Sequence, residues 1–231
     1  MKTLILGAAL IVAALVSGGA AGLRAETDAV KLLAGADKEL HDFIGQPDWQ
    51  GVVSILGGTK AVLIAPDFTS GSVIIGFEEG DAVLLVRHDI QWSDPVFVRM
   101  RQASIGFQAG VKQSELLMLV LTRSAVKDMV DGVARVGGSG GFALGDLGVG
   151  GGGAGGVSGG LQMLSVSLSE GLSIGTALGG MKIAPIEALN QAAYGSGFDM
   201  SAVLAKPGGA YPPAAKLRET LAETVRKSRS D

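Results

Sequence analysis

Between positions 28 and 45 apolar residues recur three and four places apart, at Ala29, Leu33, Ala36, Leu40, Phe43 and Ile44, the period of an amphipathic helix. The other face carries Lys31, Asp37, Lys38, Glu39 and Asp42; Thr27 or Asp28 can cap the start, and Gly45 and Pro47 end it. A second short helix is expected from Pro47 to the Gly57-Gly58 pair. The period then shortens to strand-like runs at 61–65, 72–77, 82–87, 96–101, 104–110 and 116–121, separated by turn residues such as Asp67, Ser70-Gly71, Glu78-Glu79-Gly80 and Ser93-Asp94-Pro95. Gaps this short cannot hold crossover helices, so the strands are expected to pair antiparallel. A helix at 124–133 interrupts them. Further strands are expected at 161–168, 172–178 and 181–183, then helices at 185–193 and 213–229. The pattern predicts a single α+β domain, a curved antiparallel or barrel-like sheet with helices at both chain ends.

The first residues follow another rule. Lys2 precedes an apolar run from Leu4 to Val16 and a small-residue stretch, Ser17-Gly18-Gly19-Ala20-Ala21-Gly22, the layout of a secretory signal peptide. The run falls short of the ~20 residues that span a bilayer. The expected cut follows Ala25, with Ala20 or Ala21 as alternatives, giving a signal peptide at 1–25 and a mature domain at 26–231 in the periplasm or outside the cell. No cysteine offers a lipid anchor. Cleavage leaves 17 bases against 22 acids, a net charge of −5, which argues against a basic nucleic-acid binder.

Composition removes most enzyme chemistry. Without cysteine there is no disulfide, thiolate metal site or thiol nucleophile, and only His41 and His88 could serve a metal or a triad. Gly171-Leu172-Ser173-Ile174-Gly175 and Gly156-Val157-Ser158-Gly159-Gly160 fit the nucleophile pattern G-x-S-x-G, but no histidine follows either serine. Ser124-Ala125-Val126-Lys127 fits S-x-x-K without its companion motifs, and reads as a surface helix. Each histidine sits beside an aspartate, His41 by Asp42 and His88 by Asp89; nothing fixes them to one site, and both read as exposed surface residues. No phosphate-cradling G-K-[ST] exists. Residues 137–160 hold 14 glycines in 24 positions and are expected to form a mobile loop region.

The order of motifs from Lys60 to Gly195 resembles the SYLF lipid-binding domain family. Lys60-Ala61-Val62-Leu63-Ile64-Ala65-Pro66 is similar to its first strand, and Gly71 to Gly76 with Glu79 to Leu84 to its hairpin. Trp92-Ser93-Asp94-Pro95 is similar to "W-S-x-P", Ser104 to Gly110 to "S-x-G-x-Q-x-G", and Asn190 with Tyr194-Gly195 to "N-x-x-x-Y-G". The stretch 137–160 departs from the family pattern. The resemblance implies a non-enzymatic exported domain that binds lipid head groups peripherally, with no cofactor, metal, nucleic acid or small-molecule substrate. An envelope protein partner is the alternative. Three basic surfaces could serve: Lys31 and Lys38 beside the stripe of Leu33, Leu40 and Phe43, in the manner of an interfacial helix; a patch of Arg87, Arg99, Arg101 and Lys112; and the tail of Arg226, Lys227 and Arg229. Trp92 is either a direct membrane contact or a hydrophobic plug. The apolar stripe equally suits packing on the sheet.

Overall fold

The computed structural model describes residues 3–72, 75–105, 110–131, 163–168, 172–176 and 182–228, with backbone alone for 3–20, 70–72, 75–77, 102–105, 110–114, 168 and 172–176. The glycine-rich stretch expected at 137–160 lies outside the described residues. Eight strands form one open, curved antiparallel sheet: β1 (Ala61–Ser72), β2 (Ile75–His88), β3 (Gln91–Trp92), β4 (Val96–Ile105), β5 (Gly110–Val120), β6 (Met163–Leu168), β7 (Leu172–Thr176) and β8 (Lys182–Pro185). Their order is β7-β6-β5-β1-β2-β4-β8, with β3 paired to β2. Among the described residues β7 and β8 are its two edges, so of the two expected forms the sheet takes the open one.

Continuous apolar runs in β1, β2, β4 and β5 reflect burial on both faces. One face, with Val62, Ile64, Val83, Leu85, Phe97, Leu117 and Leu119, carries α1 (Thr3–Ile44), α2 (Trp49–Leu56), α4 (Glu187–Tyr194) and α6 (Ala215–Ser228). The other face, with Ala61, Leu63, Leu84, Val98 and Met118, carries α3 (Arg123–Val130) and α5 (Met200–Leu204). Pro66 sits where β1 loses register against both neighbours, between Ile64 and Asp67 on one side and between Ala65 and Phe68 on the other. A proline cannot donate to the ladder, so the chain bulges there. Gly80 faces the bulge closely enough that a Cβ would stand 2.9 Å from the Asp67 carbonyl.

Several boundaries differ from the sequence expectation. The first helix does not begin at Thr27 or Asp28 but runs unbroken from Thr3, and the Thr27 hydroxyl donates back to the Leu23 carbonyl at 2.9 Å instead of capping. No proline stands before position 47 to stop it. The expected strands 72–77 and 104–110 each contain a chain reversal, since Ser72 pairs with Gly76 and Ile75 with Ile105 while Ser72 also pairs with Gly110. Conversely Glu78-Glu79-Gly80, expected as a turn, lies inside β2 opposite Gln102, Arg101 and Met100. The helix α5 was not expected. The last helix begins at Ala215, after a 3-10 turn at Pro212–Ala214.

Candidate functional site

The motif residues converge on a knot around β3 and the start of β4. Ser93 Oγ accepts from the Val86 amide (3.0 Å) and donates to the Asp94 carbonyl (2.9 Å). The Asp94 carboxylate, 4% exposed, accepts from the backbone amides of Gly209 (2.9 Å), Ala210 (2.7 Å) and Tyr211 (3.3 Å) and pairs with Arg218 of α6. Gly208 donates to the Trp92 carbonyl at 2.8 Å, and a Cβ there would fall 2.5 Å from the Asp94 nitrogen, which leaves room for glycine alone. From α4, Asn190 accepts from the Phe97 amide (2.9 Å) and donates to the Phe97 carbonyl (2.7 Å), while the Tyr194 hydroxyl donates to the Pro95 carbonyl. These groups are satisfied by one another, so their chemistry is structural. Trp92, 2% exposed, is a core residue.

The residues expected to meet a membrane separate. Leu33, Leu40 and Phe43 are buried against the sheet, so the apolar stripe of α1 is core, while Lys31 stays exposed and Lys38 pairs with Asp42. Arg99 and Arg101 share a strand face, as their spacing requires, but each is matched across the ladder: Arg99 Nη2 donates to Asp81 (2.8 Å) and Arg101 Nε to Glu79 (2.8 Å). That patch is thereby close to neutral. Lys112 stands in β5 opposite Ser70. The Arg87 guanidinium donates to the Gly57 carbonyl at the end of α2 (2.8 Å). Of the tail, Arg226 and Lys227 are exposed on α6, and Arg229 lies outside the described residues.

One acid expected on the polar face of the first helix is instead buried. Glu39, 1% exposed, faces the sheet with neither carboxyl oxygen hydrogen-bonded among the described residues. Burial, then the nearby charges of Glu115, Asp67 and Asp42, push its pKa up to about 10; the close Leu116 backbone amide offsets only part of this. Glu39 is therefore a neutral acid at pH 7.

A surface the sequence did not reveal lies on the other face. A cleft of 340 Å³ opens between α3, α5 and the end of β2, with Val86, Val126, Val130 and Leu204 as its apolar wall. Its remaining lining includes Lys60, Arg87, His88, Arg123 and Lys127 and, among the described residues, no acid. Arg123 and Lys127 lie four apart on α3 and are exposed; Lys127 pairs with Asp131, and the Thr122 hydroxyl caps the helix by accepting from Ala125 (3.2 Å). His88 is half-buried, not exposed as expected, and its Nε2 donates to the Leu204 carbonyl (2.9 Å), tying β2 to α5. Of the α3 pair, Lys127 entered the sequence reading only as part of a serine motif, and Arg123 not at all. The strand residues come from positions too distant for any spacing to reveal.

Among the described residues the groups that could supply catalysis lie apart. His41, exposed on α1, donates from Nδ1 to the Asp37 carbonyl (2.7 Å), on the face opposite His88. Ser173 stands in β7 opposite Ser167, and the Ser124 hydroxyl bonds Thr122 (3.1 Å). Among the described residues no three histidine or carboxylate side chains converge as metal ligands, and no helix is long and apolar enough to cross a membrane.

In comparison with known proteins, the family model Ysc84, described as "Las17-binding protein actin regulator", matches residues 101–224, more than half of the chain. No curated protein and no solved structure matches it significantly.

Proposed function

Since the chain belongs to the Ysc84 (SYLF) domain family, known for lipid binding and actin-related regulation and not as a family of enzymes, we propose that it is a non-enzymatic protein that binds anionic phospholipid head groups at a membrane surface. The carrying observation is the cleft beside α3, where Lys60, Arg87, Arg123 and Lys127 gather and no acid is among the described lining residues, on a chain whose acids outnumber its bases. In such a chain attraction to anionic lipid must be local, and each base near the surface contributes about 1 kcal/mol that salt screens.

We also place the protein outside the cytoplasm after cleavage behind Ala25. What supports this, beside the leader-like first residues, is that residues 21–24 are exposed and Ala25 is the first described side chain packed against the core. Among the described side chains, removal of 1–25 thus takes only Ala25 from the core.

Co-sedimentation with vesicles containing phosphatidylglycerol tests the lipid reading. Wild type is expected to sediment at low salt and to lose binding as salt rises, and Arg123→Glu/Lys127→Glu to bind at least tenfold more weakly, two lost charges at about 1 kcal/mol each. Sedimentation of that variant like wild type would remove the cleft from the proposal.

A protein-interaction role in the cell envelope is the second reading. It is favoured by the family description, which names a protein partner, and by the sheet edges at β7 and β8, which pair with no further strand among the described residues and can accept another. Wild type that ignores anionic vesicles yet retains a specific envelope protein in a pull-down would put this reading first.

A further inference from the structure

We propose that the cleft between α3, α5 and the end of β2 encloses the head and the first part of the chain of one phosphate-monoester amphiphile, and is more than a basic patch that rests on a lipid surface. The proposal rests on the anionic-lipid reading of the same cleft and adds the class of molecule and its stoichiometry.

Three observations carry it. The first is shape: a hollow of 340 Å³ falls within the range of small-ligand sites, roughly 300–1,000 Å³, whereas adhesion to a bilayer plane needs no hollow. The second is the division of its lining. Leu204 belongs to the sheet core on that face, and Val86, Val126 and Val130 are half-buried against the same core, so the wall is a continuous apolar surface fit for a hydrocarbon chain. The third is charge. Arg123 and Lys127 project from one side of α3 beside that wall, and no carboxylate lines the cleft among the described residues. Asp131 compensates Lys127, while no ion pair holds Arg123 among the described residues. A phosphate monoester carries between one and two negative charges at neutral pH, and a guanidinium binds it in a two-pronged fork. A plain anion would leave the wall wet, and a neutral alkyl chain would leave the bases unmatched.

The binding of octyl phosphate to the full chain, below its micelle concentration, is the test, with inorganic phosphate and octyl maltoside as the two partial ligands. Calorimetry is expected to give one site per chain, with octyl phosphate at least tenfold tighter than either control. Ala205→Glu, an exposed lining position on the α5 side, and Arg123→Ala/Lys127→Ala are each expected to weaken octyl phosphate at least tenfold with circular dichroism unchanged. Equal binding of inorganic phosphate would reduce the cleft to an anion site and overturn the proposal, as would equal binding of octyl maltoside, or octyl phosphate binding untouched by both folded variants. The two readings fail separately. Vesicle binding without octyl phosphate binding overturns the enclosed site and leaves surface attachment; octyl phosphate binding without vesicle binding keeps the site and removes the membrane surface.

Discussion

Asp94 and Glu39 are two buried acids whose surroundings give them opposite roles. Asp94 meets three backbone amides and Arg218, so its charge is matched where it is buried. Asp94→Ala would strand a guanidinium that is largely buried and three donors, and is expected to cost about 3–5 kcal/mol in denaturant unfolding; a loss under 1 kcal/mol would show that the knot is not a clamp. Asn190→Ala, which strands the Phe97 amide while the Phe97 carbonyl keeps the Ile186 amide, should cost about 2 kcal/mol by the same measurement. Glu39 has no such partners and stays protonated in the fold, with its pKa up at about 10 against 4.5 in an unfolded chain. Between those values the folded state holds one proton more than the unfolded state, so stability falls as pH rises through that window. Glu39→Gln, neutral at every pH, is expected to flatten the decline between pH 5 and 9. If the variant and wild type lose melting temperature in parallel across that range, Glu39 is ionised in the fold.

At the scale of elements, charged strands carry the main surprise. Glu79 and Asp81 in β2 face Arg101 and Arg99 in β4, and cross-strand pairing of opposite charges holds a segment whose composition alone reads as a turn. Pairs this exposed are worth about 0.2–1 kcal/mol each. Arg99→Glu/Arg101→Glu is therefore expected to lower stability by about 1–3 kcal/mol, repulsion included, and to weaken vesicle sedimentation less than the α3 double variant, since both shift the net charge equally but the strand pair is already neutralised by Asp81 and Glu79. Stronger loss of vesicle binding than in the α3 double variant would move the lipid surface to the sheet. The amides of Glu79 and Asp81 should also exchange slowly, as strand donors do, and not at the rate of a turn.

For the molecule as a whole, α1 runs without a break through the proposed cut behind Ala25, which is the first of its described side chains packed against the core. A chain starting at Glu26 is expected to melt within about 2 °C of the full chain, since ΔΔG near zero moves the melting temperature little; a large drop would mean that the first turns of α1 support the fold. Much of this architecture was legible in the sequence. Alternation and period placed α2, α3, α4 and most strands, and short gaps gave antiparallel pairing, because backbone sterics and side-chain periodicity act over a few residues. The order of motifs from Lys60 to Gly195 named the family for the same reason: each motif is a local solution to a turn or a close approach, as Gly80 against Asp67 shows. What surrounds a residue was not legible. Leu33, Leu40 and Phe43 had the same spacing whether they faced a bilayer or the sheet, and only the sheet beneath α1 decided between them. Arg99 and Arg101 looked like a basic patch until register set Asp81 and Glu79 opposite. The cleft arises because β2, α3 and α5, far apart along the chain, close around one hollow, and that proximity is produced by burial of both sheet faces and is written in no local spacing.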